Sequence, residues 1–540
     1  MNKFDEQIDA PDASKRSVIE VPFYPVLMGA YLPLKLLGPN LAVFDVSQAT
    51  RVVAIMALVG LILLALFFLV LRRAHFAALL SGLAIGTVLV MMGNPDYGLP
   101  FFLFTTLIIF LVWIKDIGHR ATRILNVFAM GILVQPFGAI IIDYAFTQNQ
   151  QPDQAHYSPY SNSQFVVTAG ESAPNIVHIL LDGYAAADVL KKEFDFDNQE
   201  FLAALDQRDF IIGQDVHTPY SQTLLVMASI FGANYLTPEE YPLLEDDPDR
   251  LRTTLGKVVS DGPLKGQLKE LGYMFLATES GYNFFAPAES DILTGPTFGS
   301  LSLNFFEGEF AGRLLEVFPD TLTSPLGLAH FQATRFNDYL RHAVSSDIHL
   351  NQPGPFHYFV HLLAPHPPFV IDRNGETTDN WIDQFGTLQD SSSATAMDPI
   401  KVAAYRKGYL EKLRYINSAL IPHIDRLIAE IPSPKVIILH GDHGSGASFH
   451  HDDKSLGCLT DRYSPLLAVY SDVPAITESF SRIKDGGFNL VNIYRVLTDT
   501  SFGTSLGLLE DKSWYDSWGD PQHPKLLNES EIKANCSVGS

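Results

Sequence analysis

KVIILHGDHG, Lys435 to Gly444, sets a continuous apolar run, Val436-Ile437-Ile438-Leu439, against an abrupt polar exit. Four consecutive apolar residues after Pro434 fit a strand covered on both faces, because a half-exposed strand would alternate. The exit crowds His440, Gly441, Asp442, His443 and Gly444 together. In open α/β sheets ligands gather at the carboxyl ends of strands, and an adjacent carboxylate and imidazole there can grip one divalent cation. A strand ending in ordinary turn residues looks the same in isolation, so the reading depends on the rest of the chain.

Two other stretches have the same design, and a third sets hydroxyls ahead of an apolar run. NIVHILLDGY, Asn175 to Tyr184, is an apolar run broken by Asp182-Gly183 and is predicted to be the first strand. FHYFVHLLAPHPPFV, Phe356 to Val370, leaves its apolar run at His366, whose flanking prolines Pro365 and Pro367 restrict the local backbone. TPYSQTLLVMASIFGANYL, Thr218 to Leu236, puts Ser221 and Thr223 just before an apolar helical run. Hydroxyls at a helix N-terminus sit where backbone N–H groups favour an oxyanion, although plain capping uses the same residue types. His178, His357 and His361 lie inside predicted strands and are read as core or supporting groups. The run SFHHDDK offers His450, His451, Asp452 and Lys454 for a second metal or a substrate anion, or simply forms a solvated loop.

Between these runs lie amphipathic stretches such as Leu264–Leu271 and Tyr405–Leu427, and another apolar run at Tyr273–Ala277. Strands alternating with helices imply an α/β layered fold.

The front of the chain differs. From Val21 to about Phe146 charges are few, and apolar runs of roughly 20 residues recur, the length that crosses a bilayer as helix. Five spans are expected, near Val21–Leu41, Val52–Leu71, Phe76–Met92, Leu99–Ile114 and Ile124–Phe146, the first interrupted by Pro25, Pro33 and Lys35. Lys15 and Arg16, Arg72 and Arg73, and Lys115, Arg120 and Arg123 fall on alternate span ends, which the positive-inside rule assigns to the cytoplasm. Five crossings put everything after Phe146 outside. The expected organisation is a transmembrane domain at 1–146, a Gln/Ser/Asn/Pro-rich linker at 147–172, a catalytic domain at 173–511 and a polar, peripheral tail at 512–540. The first twenty residues are polar and acidic, unlike a cleaved signal peptide.

Among the 540 residues, 37 basic against 60 acidic side chains give a net charge of −23, which disfavours nucleic acid as a partner and suits bound cations. Two cysteines, Cys458 and Cys536, exclude a disulfide framework and a cysteine-based zinc cluster, and leave room for one disulfide.

Taken together, PNIVHILLDGY, HLLAPHPPF and VIILHGDHG resemble the metal-binding and substrate-histidine motifs of the sulfatase-like branch of the alkaline phosphatase superfamily. That branch includes lipoteichoic acid synthases, phosphoethanolamine transferases and arylsulfatases. The resemblance covers about Pro174 to Asp472 and implies an α/β/α sandwich with a central mixed, mostly parallel sheet behind the transmembrane bundle. It implies Asp182, Asp442 and His443 as ligands of a divalent metal (zinc, manganese, magnesium or calcium), Thr223 as nucleophile and further ligand, and His366 on the substrate side. Ser221 is the reserve nucleophile. No Cys/Ser-x-Pro/Ala-x-Arg motif surrounds Ser221 or Thr223, so a formylglycine sulfatase is unsupported. Thr223 resembles instead the threonine of phosphoethanolamine transferases, which becomes phosphothreonine before transfer. Several of those enzymes carry Glu where this chain has Asp182. The expected protein is thus a multi-pass inner-membrane enzyme with its catalytic domain in the periplasm. It would pass a phospho-head group from a lipid donor to an envelope glycan or lipid. Hydrolysis of a phosphodiester or sulfate ester is the alternative.

Overall fold

The computed structural model describes residues 20–38, 46–93, 97–115, 118–149, 158–167, 172–237, 248–280, 290–296, 310, 314, 328–345, 350, 352–378, 398–517 and 519–533. The chain divides into two compact units, Met1–Asn149 with Arg313–Pro319, and Gln150–Gly312 with Asp320–Ser540.

Among its described residues the first unit has five long helices: α1 (Tyr24–Leu37), α2 (Val46–Leu71), α3 (Ala74–Gly93), α4 (Gly98–Ile114) and α5 (Gly118–Asn149). Three stretches, Ala49–Leu71, Ala74–Gly93 and Gly118–Ile142, are long and apolar enough to cross a membrane. α1 and α4 are apolar but shorter, at 14 and 17 residues. Leu61, Leu66, Leu69, Phe104, Leu107, Ile124 and Val134 are all at least half exposed. Apolar helices with so much uncovered side-chain surface are solvated by hydrocarbon rather than water.

The second unit is built on a seven-stranded sheet of order β2-β8-β7-β1-β6-β4-β5. The strands are β1 (Asn175–Leu181), β2 (Ile211–Ile212), β4 (Met274–Thr278), β5 (Ile292–Thr294), β6 (Phe356–Leu362), β7 (Lys435–His440) and β8 (Leu467–Ser471); β3 (Val216–His217) pairs separately with β9 (Phe488–Asn489). β7, β1, β6, β4 and β5 run parallel, while β8 and then β2 close one edge antiparallel. This is the mixed, mostly parallel sheet expected from the sequence.

Register explains what each face of the sheet carries. Val177 pairs with Tyr358 and Ile437, and Ile179 with Val360 and Leu439. This face belongs to the large apolar core, which includes Tyr409, Leu413, Ile416 and Leu420 of the long helix Pro399–Glu430. On the other face His178 neighbours Phe359, and Leu180 lies between His361 and His440. Helices Thr223–Gly232 and Ile493–Ser501 cover it, with the Phe231 ring stacked 5.4 Å from His178 and Tyr494 5.6 Å away.

Two expectations about connecting segments change. Of the linker, 150–157 and 168–171 lie outside the described residues, but Tyr160 and Phe165 are buried, and Phe165 stacks on Phe502 at 5.1 Å. The described part of the tail, 512–517 and 519–533, is not peripheral. β10 (Ser513–Ser517) and β11 (Asp520–Leu527) pair antiparallel, and Trp514, Tyr515 and Asp516 are buried, because Tyr515 and Leu527 pack with Phe449 and Tyr463 while Trp514 stacks on Tyr220. Cys458 is not a free thiol, and Cys536 lies outside the described residues.

Candidate metal centre and nucleophile turn

The central strands β7, β1 and β6 end side by side, and their carboxyl ends carry the predicted groups. The alternation that puts His178 and His440 on the histidine-bearing face continues in sequence to Asp182 and Asp442. One ligand atom from each of Asp182, Asp442 and His443 lies within 4.8 Å of the others, and all three residues are buried. Among the described residues this is the one such group of three or more. Gly441 and Gly444 are required by close backbone approach: a Cβ at either would lie 2.3 Å from the Tyr184 carbonyl oxygen or 1.7 Å from that of Asp461.

Hydrogen bonds define the donor set. Asp442 Oδ1 accepts the N–H groups of Gly183 (3.0 Å) and His443 (2.9 Å). Burial raises the Asp442 carboxyl, but the His443 imidazole, the Gly183 N–H and the Thr223 hydroxyl together hold it below the ordinary carboxylate value. His443 Nδ1 lies 2.8 Å from the Gly444 carbonyl, which can only accept, so Nδ1 carries a proton and Nε2 is the nitrogen turned toward Asp442 and Thr223. That nitrogen is 3.1 Å from Asp442 Oδ2 and 3.3 Å from Thr223 Oγ1. A carboxylate oxygen and an imidazole lone pair this close require positive charge, as a second ring proton or as a cation held by both. The further carboxylate of Asp182 favours a doubly charged cation, and two carboxylates with one imidazole suit zinc or manganese. The residues therefore fit a divalent metal.

Supporting groups surround this set. His361 Nε2 is 3.0 Å from Asp182 Oδ2, and burial lowers the His361 ring to about 4 against the pull of Asp442. The sequence reading of His361 as core or support is the role its position permits. Thr223 is the first residue of its helix, as the apolar run after it requires. His366 is brought close: its N–H donates to the Asp182 carbonyl at 3.0 Å, and its Nδ1 lies 2.7 Å from the Pro367 carbonyl, leaving Nε2 as the acceptor.

Other predicted residues take different places. Ser221 is not aligned with the metal group: its hydroxyl reaches the Asp516 carbonyl at 3.4 Å and its backbone is held at both ends. His450 Nδ1 accepts the N–H groups of Asp452 and Asp453, which shapes its own loop. His451 is buried edge-on to Phe449 at 4.9 Å, outside the metal group. Lys454 pairs with Glu531 at 2.5 Å rather than facing the centre.

Sequence reasoning missed three residues. Lys412 on the long helix is buried and donates to the His366 carbonyl at 2.6 Å; burial lowers it to about 7, against the pull of Asp182. Arg462 and Asp516 flank the turn before Thr223. A charged residue at a core position of an amphipathic helix was the available signal for Lys412.

No protein-family model matches the chain, and no curated protein matches it. Solved structures are similar in fold. The C-terminal periplasmic domain of EptC from Escherichia coli is 13% identical, with 69% of this chain and 98% of that one covered at a TM-score of 0.41. The integral membrane protein lipooligosaccharide phosphoethanolamine transferase A from Neisseria meningitidis is 12% identical, covering 90% and 95% at 0.39. A protein in the alkaline phosphatase superfamily from Vibrio parahaemolyticus is 12% identical, covering 66% and 75% at 0.34.

Proposed function

We propose that the chain is a membrane-anchored, metal-dependent phosphotransferase that moves a phospho-head group from a lipid donor through phosphothreonine at Thr223 to an envelope glycan or lipid. The observation that carries this reading is the convergence of two carboxylates and the His443 Nε2 with a threonine hydroxyl 3.3 Å from that nitrogen. Asp182, Asp442 and His443 would hold the metal, which when bound supplies a Lewis acid for the phosphoryl group and makes the nearby hydroxyl more acidic.

Thr223 Oγ1 forms the new bond to phosphorus as the bond to the donor's leaving oxygen breaks, and the hydroxyl proton leaves to solvent or to that oxygen. An acceptor hydroxyl then attacks phosphorus, the Thr223–phosphorus bond breaks, and the threonine is regenerated. The backbone N–H groups at the start of the Thr223 helix favour the negative charge of the phosphoryl oxygens. His366, tied to Asp182 through its backbone and presenting Nε2, serves the substrate side. Five membrane crossings would place this unit outside the cytoplasm beside a lipid donor.

The test uses purified full-length protein stripped of metal and reconstituted with manganese, zinc or magnesium. It is incubated with labelled phospholipids, and Thr223 is examined by mass spectrometry. A phosphoethanolamine or phosphoglycerol adduct on Thr223 is expected and names the donor. Unchanged turnover of a generic phosphodiester by Thr223→Ala would defeat the mechanism. Release of free head group with no acceptor requirement would identify a hydrolase.

A further inference from the structure

Thr223 can act only if its hydroxyl is held toward Asp442 and His443, yet its helix has no side-chain cap of its own, because Gln222 at the cap makes no such bond. The preceding turn is held from outside. The Ser221 N–H donates to Asp516 Oδ1 at 2.7 Å, and the Ser221 carbonyl accepts from Arg462 Nε at 2.9 Å and Nη2 at 2.6 Å. Both backbone groups of the residue two before the nucleophile are thus fixed by side chains distant in sequence.

Arg462 also reaches the other half of the site. Its backbone carbonyl accepts the Gly444 N–H at 2.8 Å, so one residue is bonded to both the metal-ligand loop and the nucleophile turn. Asp516 comes from β10, which runs along the same turn: the Trp514 N–H donates to the Pro219 carbonyl at 2.8 Å, and Ser513 Oγ to that of Thr218 at 2.7 Å. Gln222 Nε2 donates to the Ser517 carbonyl at 3.3 Å. Arg462 and Asp516 are 2% and 0% exposed. Burying a guanidinium and a carboxylate is unfavourable, and burial pushes the Asp516 carboxyl up to about 7; both side chains nonetheless spend hydrogen bonds on the backbone of Ser221.

We propose that Arg462 and Asp516 are positioning residues that set the Thr223 hydroxyl against the metal-ligand loop, which makes the C-terminal hairpin part of the reacting unit. This rests on the reading of Thr223 as nucleophile. Neither side chain ligates metal or touches the reacting atoms; each acts through the Ser221 backbone. Asp182, Asp442 and His443 keep their own supports from His361, Gly183 and Gly444.

The experiment compares full-length wild type with D516A, D516N and R462K, measuring kcat and KM on a generic phosphodiester, Mn²⁺ affinity by titration, and Tm. D516A is expected to lower kcat by about 10- to 100-fold, the scale of a misplaced reacting group, with Mn²⁺ affinity unchanged. KM should stay within about threefold, since substrate binding does not use Asp516. D516N should recover much of the loss, because its carboxamide oxygen still accepts the Ser221 N–H. R462K should lower kcat, because a single ammonium does not reproduce the two-pronged hold. Wild-type kcat in D516A would overturn the proposal, as would a D516N defect equal to that of D516A, or a fall in kcat matched by a fall in Mn²⁺ affinity. If D516A does not fold, wild-type kcat in R462K overturns it. Full turnover by Thr223→Ala removes the nucleophile reading itself; inactive Thr223→Ala beside normal D516A removes only the clamp.

Discussion

The two faces of the central sheet are made by the same strands and are equally buried, but they do different work. One carries Val177, Ile179, Tyr358, Val360, Ile437 and Leu439 into the apolar core. The other carries His178, His357, His361 and His440, all at most 3% exposed, and leads toward the Asp182, Asp442 and His443 group. Imidazoles can be buried there because they are linked. His440 Nδ1 is 2.7 Å from the Gly441 carbonyl, and His440 Nε2 is 2.7 Å from His178 Nε2. His178 Nδ1 and His357 Nε2 lie 2.9 and 2.6 Å from the Tyr494 hydroxyl. Starting from the Gly441 carbonyl, which must accept, neutral rings give one consistent order: His440 donates from Nδ1, His178 from Nε2, Tyr494 from its hydroxyl and His357 from Nε2. A buried polar layer is stable when every member is satisfied, and its directionality gives one defined arrangement where an aliphatic layer would tolerate several.

Acid should separate the faces most strongly. Burial lowers His357 to about 3 and His440 and His361 to about 4, while His178 lies well below its ordinary value. These folded values lie below the unfolded 6.5, so between those limits the unfolded chain binds protons that the native one does not. Stability present above pH 6.5 is therefore lost as pH falls toward 4, by on the order of 3 kcal/mol for each imidazole. Denaturant unfolding from pH 7 to pH 4 should show it; a flat profile would mean that the chain is not neutral.

Next in size, Thr223→Ala should reduce turnover by at least about 10³-fold while leaving the unfolding midpoint nearly unchanged, the behaviour of a nucleophile rather than a packing residue. On the aliphatic face, Leu439→Ala should lower stability by about 2–5 kcal/mol at every pH between 5 and 8, with metal affinity retained. Equilibrium unfolding and manganese titration on the same samples test both halves of that expectation. The smallest effect expected is from Tyr494→Phe, which leaves His178 and His357 without their shared hydroxyl and lowers stability by about 1–3 kcal/mol. If it instead abolished metal binding, the histidine layer would be more directly coupled to the site than its geometry indicates.

Much of the fold could be read from the chain because apolar runs with abrupt polar ends are a local signal. Asn175–Leu181, Phe356–Leu362 and Lys435–His440 are strands in the structure, each followed by the residue that marked it: Asp182, His366 or Asp442. Arg462, Asp516 and Lys412 were not legible, since each interacts with a backbone group more than 40 residues away and no short motif encodes that pairing. The tail was misread because a short polar hairpin becomes buried only when a larger surface receives it.

The sequence by itself determined the strands, the apolar front helices and the residue types able to hold a cation, because periodicity and chemistry are local properties. Tertiary structure alone decided that Asp182, Asp442, His443 and Thr223 meet, that Ser221, His450, His451 and Lys454 lie outside that group, and that the last hairpin reaches the turn before Thr223. Parallel pairing in register brings strand ends together across more than 250 residues of chain, a distance no local pattern specifies.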